Sequence, residues 1–154
     1  PSLFESGYEQ FLDSVKTAAM LLDWIDERDE EYLMEVYGSR PGETRYKLEI
    51  GDWLLYSLKE LAIILRLQGF NSSIERLRVR LKYGVKEELL PLLKLREIGR
   101  VRARKLYANN IKNIGDVKRA SFGLLARILG SKIAEKVKKQ VGQNSTYEEQ
   151  LGVG

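Results

Sequence analysis

Between Tyr8 and Val141 the apolar residues recur three and four positions apart, and no alternating run of apolar and polar residues is long enough for a strand. An all-α protein is the expected fold class. A first helix is predicted from Tyr8 to Ile25, with Phe11, Leu12, Val15, Ala18, Ala19, Leu22 and Ile25 as its apolar stripe. A short second helix, Asp29 to Tyr37, ends at Gly38. Pro41 or Glu43 then opens a long helix reaching about Leu67, closed by Gly69. Another covers Ser73 to Lys82 and stops at Gly84, and Val85 to Leu93 reads as a short helix that Pro91 must kink or break. On the long helix, Leu54, Leu58, Leu61 and Leu65 form the expected core face, with Leu55 and Ala62 close by, while Arg45, Glu49, Asp52, Tyr56 and Lys59 lie roughly opposite. Tyr46 and Trp53, seven residues apart, share a line at the border, continued by Ile50 and Ser57. Such a pair can offer stacking platforms to successive unpaired bases, or it can simply cover a neighbouring helix.

One short pattern occurs twice, as Ile98-Gly99-Arg100-Val101-Arg102-Ala103 and as Leu129-Gly130-Ser131-Lys132-Ile133-Ala134. Both copies read apolar, Gly, three residues, Ala, and the glycines are 31 residues apart, which marks a repeated supersecondary unit. A Gly just ahead of a helix lets another backbone approach, and the first N–H groups of that helix lack intrahelical partners, so the turn can hold a phosphate. The pair resembles tandem helix-hairpin-helix motifs, which hold nucleic-acid backbone without reading bases. The alternative is two tight turns that only pack. The first copy crowds Arg100, Arg102, Arg104 and Lys105 into one stretch; the second has Lys132, then Lys136, Lys138 and Lys139.

Charge supports the first reading. Residues 1–72 hold 7 Lys/Arg against 14 Asp/Glu, whereas residues 73–142 hold 19 against 6. A net of +13 over about seventy residues suits a surface that neutralises phosphates. Anionic lipid would also attract it, but no segment sets a basic face against Trp or Phe on the other side, so a membrane partner is not expected.

With no Cys and no His, the chain lacks thiol nucleophiles, imidazole bases, disulfides and the usual zinc ligands. No secretory signal or long apolar span is present, which fits an intracellular, cytoplasmic protein. The acidic cluster Asp23, Asp26, Glu27, Asp29, Glu30 and Glu31 straddles a helix junction, where carboxylates cap the next helix, and it lacks the ligand spacing of a calcium loop. No metal site and no catalytic residue is expected. The chain begins at Pro1 without Met, as a piece of a longer polypeptide would.

Several stretches together resemble one family, the archaeal Hjm-type, Ski2-like superfamily 2 DNA helicases, related to the animal HELQ helicases. They are Leu21-Leu22-Asp23-Trp24-Ile25, Tyr37-Gly38 with Pro41-Gly42, Asp52-Trp53-Leu54, the run from Val79 to Leu89, and the run from Ile98 to Tyr107. The resemblance implies a helical bundle with one long ratchet helix over residues 1–94, a tandem helix-hairpin-helix DNA-binding domain over 95–142, and a flexible tail over 143–154. It implies that the long helix lies across single-stranded DNA, with Trp53 matching the family's base-stacking Trp. The family's ratchet Arg falls on Tyr46, beside Arg45, leaving open whether Tyr46 stacks, Arg45 substitutes or the contact is lost. Arg100, Arg102 and Arg104, with Lys105, Gly99, Gly130 and Lys132, would hold DNA backbone and restrain unwinding.

No Gly-x-x-x-x-Gly-Lys-[Ser/Thr] loop occurs in the chain, so ATP and magnesium belong to the parent, an ATP-dependent 3′-to-5′ helicase acting in replication or repair. The expected partners are single-stranded or forked DNA, the motor domains of the same polypeptide, and other repair or replication proteins. Two other readings stay open. One is a clamp on duplex or branched DNA without strand tracking; the other is an autoinhibitory or protein-interaction module in which the acidic half docks on the basic half or on a motor domain.

Overall fold

The computed structural model describes residues 7–150 and is all-helical, with eight α-helices among the described residues. The chain divides into two compact units, Pro1–Glu87 and Glu88–Gly154.

In the first unit, α1 (Tyr8–Ile25) has the expected bounds, and α2 (Glu30–Tyr37) starts one residue later than expected because Asp29 is its N-cap. The Asp29 carboxylate accepts from the Tyr32 N–H at 2.8 Å, and Gly38 closes α2 in the left-handed conformation, φ 66°. The other carboxylates of this junction also have local tasks. Asp23 accepts from the Tyr37 hydroxyl at 2.6 Å, which pushes that phenol up to about 12, and Glu27 accepts from the Lys86 N–H.

The stripe expected on α1 is not its packed face. Met20 and Ile25 are buried, whereas Phe11, Leu12, Val15 and Leu22 are exposed. The helix is anchored instead by Trp24, whose Nε1 donates to the Leu81 carbonyl at 2.7 Å. Gly84 lies against that ring at φ 63°; a Cβ there would come within 2.6 Å of it, so both space and backbone geometry demand glycine.

The long helix α3 (Pro41–Ile64) starts with Pro at its first position, and the Arg40 N–H donates to Glu43 at 3.0 Å. It ends earlier than expected because Arg66 turns left-handed at φ 58°, letting the Leu67 N–H reach the Ala62 carbonyl at 2.7 Å. The expected core face of α3 is also wrong. Leu54, Leu58, Leu61 and Leu65 are exposed, Leu54 by 54%. The packed face is the arc through Thr44, Gly51 and Ala62, where α4 (Asn71–Tyr83) lies alongside. Small residues allow close approach, and Leu81 sits 3.0 Å from where a Gly51 Cβ would be. Asp52 and Lys59, assigned to the solvent side, instead pair with Arg78 and Glu75 of α4.

After α4 come two 3-10 turns, Glu87–Leu89 and Leu92–Lys94, where a kinked α-helix was expected. Pro91 between them offers no N–H and excludes a continuous ladder, while Leu89, Leu92 and Leu95 turn inward. Then come α5 (Arg100–Ala108), α6 (Ile114–Arg119), α7 (Phe122–Leu129) and α8 (Ser131–Gln150). The repeat is visible in the core, since Ala103 and Ala134 are both fully buried, as are Leu106 and Val137 three residues on. Lys138 closes α6 by donating to the Val117 and Lys118 carbonyls at 3.1 and 2.9 Å. The tail expected over 143–154 includes the end of α8, which runs to Gln150; residues 151–154 lie outside the described residues.

Candidate nucleic-acid interface

The outward flank of α3 carries the aromatic pair. Tyr46 and Trp53 are each 64% exposed, two turns and about 10 Å apart along the axis, with Ile50 between them. Neither ring covers a neighbouring helix to any large extent at that exposure. The backbone beneath them is held from behind, because Arg78 makes a two-pronged contact to Asp52 at 2.8 and 3.0 Å, reaches Glu75 at 3.2 Å and lies 5.3 Å from the Tyr56 ring centre. Lys59 completes the row at 2.7 Å from Glu75. The Arg78 guanidinium holds the Asp52 carboxyl below its ordinary value, and Lys59, then Arg78, do the same for Glu75. Arg45 does not share this flank with Tyr46. It lines a separate groove of about 700 Å³ along α3, together with Trp24, Asp52, Arg78 and Lys82.

In the second unit the two glycine turns differ. Gly99 is extended, φ −106° and ψ −168°, and as the N-cap of α5 it brings no capping side chain of its own. Apart from its chain neighbours Ile98 and Arg100, nothing lies within 4 Å of where a Gly99 Cβ would sit. A cavity of about 500 Å³ opens there, lined by Gly99, Arg100, Val101, Arg102 and Lys105 and, from the second copy, by Ile128 and Leu129. The Arg102 guanidinium donates to the Glu97 carbonyl at 2.7 Å. Arg104 is not in this lining; it pairs with Glu88 at 3.0 Å and stacks over the Tyr107 ring. Gly130 has φ 84° and needs glycine for the turn itself, with Lys132 exposed at the start of α8.

Around the first turn, Arg96, Glu97 and Gln140 had no signal in the sequence, and Lys136 was read only as part of the second copy's basic stretch. Gln140 accepts from the Arg96 N–H at 2.8 Å, and Lys136 contacts the Glu97 carboxylate at 2.8 Å, both bridging more than thirty residues. Among the described residues no three carboxylates gather to hold a metal ion, and no helix is long and apolar enough to cross a membrane.

A family model described as archaeal helicase, domain 4, matches residues 2–84, nearly the whole first unit. The chain is 44% identical over 132 residues to the ATP-dependent DNA helicase Hel308 of Methanocaldococcus jannaschii, covering 85% of this chain and 11% of that protein. It is 42% identical over 144 residues to that of Caldivirga maquilingensis, covering 91% and 19%, and 40% identical over 152 residues to that of Thermococcus kodakarensis, covering 97% and 14%. The chain thus spans between about a tenth and a fifth of the length of these relatives.

Proposed function

The chain belongs to the archaeal helicase domain 4 family, an archaeal Ski2-like helicase C-terminal region, and on that premise we propose that it is the strand-tracking module of an ATP-dependent DNA helicase. The observation that carries the reading is the exposed Tyr46–Trp53 line on a helix clamped from its other side. Bases of a single strand stack on these rings, which is sequence-tolerant because every base has a π face. Arg100, Arg102 and Lys105 around the open Gly99 hold backbone phosphates, with Gly130 and Lys132 as a second, less basic contact. Arg104, committed to Glu88, supports that face rather than lining it.

Motor domains of the same polypeptide are the partner this reading assigns to the exposed apolar faces, Phe11, Leu12 and Val15 of α1 and Leu54, Leu58 and Leu61 of α3, since apolar residues grouped on one exposed face suit an interaction surface. ATP hydrolysis and its magnesium lie with those domains, and the 3′-to-5′ unwinding of forked or branched DNA is the work of the whole protein. A brake on unwinding follows if the hairpins release backbone slowly.

The test is single-strand affinity of Trp53→Ala and Tyr46→Ala. Trp53→Ala is expected to weaken it by about 1–3 kcal/mol, more than it weakens fully paired DNA. Equal loss on both would remove the stacking role. A second reading, a clamp on duplex or branched DNA, is favoured by the cavity at Gly99 and predicts that cavity variants matter on every substrate while Trp53→Ala matters on none.

A further inference from the structure

The turn that precedes α5 is held from outside its own hairpin. Gln140 grips the Arg96 backbone from both sides, accepting from its N–H at 2.8 Å and donating Nε2 to its carbonyl at 3.4 Å. One helical turn away on α8, Lys136 donates to the Glu97 carboxylate at 2.8 Å. Glu97 has φ 68°, a conformation unfavourable for a residue with a Cβ, so the turn needs such outside contacts to stay in it. A carboxylate beside a phosphate-binding turn also repels the ligand, which makes a holding task the better account of its presence.

The repeat sharpens the point. Lys136 stands 31 residues after Lys105, as Gly130 stands after Gly99, so the two lysines occupy the same register of the two copies. Lys105 lines the cavity, whereas Lys136 is spent on Glu97. We infer that the second copy has become the scaffold of the first: Lys136 and Gln140 are positioning residues that set the Arg96–Gly99 turn, and they act on bound phosphate only through it. This rests on the reading of the first hairpin as a backbone contact.

The experiment is a salt titration of the whole chain against a labelled single strand and a labelled duplex. The variants are Lys136→Met, Gln140→Leu, the charge-swapped pair Glu97→Lys with Lys136→Glu, the cavity variant Lys105→Ala, and Lys139→Met as a control for lost charge, since Lys139 is paired with Glu135 elsewhere on α8. Lys136→Met and Gln140→Leu are expected to weaken binding about three- to ten-fold, as a contact acting through a neighbour does. Their salt slopes should match that of Lys139→Met, and the swapped pair should recover affinity. A slope lower by about 0.7–0.9 for Lys136→Met, with no recovery in the swap, would make Lys136 a phosphate contact and overturn the inference. Unchanged affinity in Lys136→Met and Gln140→Leu overturns it as well. If Lys105→Ala weakens binding in that case, the hairpin reading survives alone; if Lys105→Ala is silent too, both fall.

Discussion

Residues 1–87 hold 12 Lys/Arg against 16 Asp/Glu, whereas residues 88–154 hold 14 against 6. A unit with an acidic net charge has less to gain from releasing counterions, so under the proposed function its contribution would be short-range contact, for which Tyr46 and Trp53 expose their rings. The second unit has the opposite endowment. Its cations gather around an open backbone turn, with no exposed aromatic among the residues lining the cavity. If the proposed function holds, the contrast assigns a salt-insensitive stacking term to one unit and a salt-sensitive phosphate term to the other, and the two should be removable one at a time.

The largest effect should come from breaking the acidic unit's frame. Gly84→Ala combines a left-handed backbone with a clash on Trp24 and is expected to cost about 2–5 kcal/mol of stability in denaturant unfolding. The preference for single strands should go with it, while the salt-dependent part of binding stays. Next, Lys105→Ala should lower the salt slope by about 0.7–0.9 without changing the discrimination between single strand and duplex.

Gly99→Ala offers a sharper contrast with Gly84. Its backbone suits alanine and its Cβ meets open space, so stability should rise by about 0.4–1 kcal/mol as the unfolded chain loses freedom. Backbone binding should nevertheless weaken, because the methyl group stands where a phosphate would approach. Stability and binding falling together would make Gly99 a structural glycine like Gly84.

The smallest effect concerns pH. Asp52 and Glu75 have folded-state values below their ordinary 3.8 and 4.5, so their pairing adds stability that is complete above those values and is lost as pH falls through the lower, folded ones. Acid titration followed by circular dichroism should show the wild type losing stability below about pH 4, and Arg78→Met losing less over the same range. Equal slopes would mean that the pairs do not hold α3 on α4.

Much of the fold was readable from local signals. Asp29, Gly38, Pro41 and Gly84 bound their helices because capping and left-handed closure depend on neighbours in sequence. Which apolar arc of α3 is packed was not readable. A helical wheel sees apolarity, and the leucine face is the more apolar, yet α4 lies against the arc where Gly51 and Ala62 let backbones come close. The same holds for α1, where Trp24 rather than the Phe11–Val15 stripe makes the anchor. At the candidate site the seven-residue spacing put Tyr46 and Trp53 on one line at the border of two faces, and the structure shows that line exposed because the core face lies elsewhere on the helix. The tasks of Arg45, Arg104 and Lys136 were hidden, because groove walls and ion pairs with Glu88 and Glu97 depend on distant chain.

The most direct measurement is fluorescence anisotropy of a labelled single strand, fork and duplex at two salt concentrations, with the wild-type chain, Trp53→Ala and Lys105→Ala. Two separable terms predict that Trp53→Ala lowers affinity for the single strand and fork at both salts with an unchanged slope, and that Lys105→Ala flattens the slope on all three substrates. Wild-type affinity of Trp53→Ala on every substrate would contradict the account, leaving the basic hairpins as the whole interface and Trp53 as an exposed ring with no ligand.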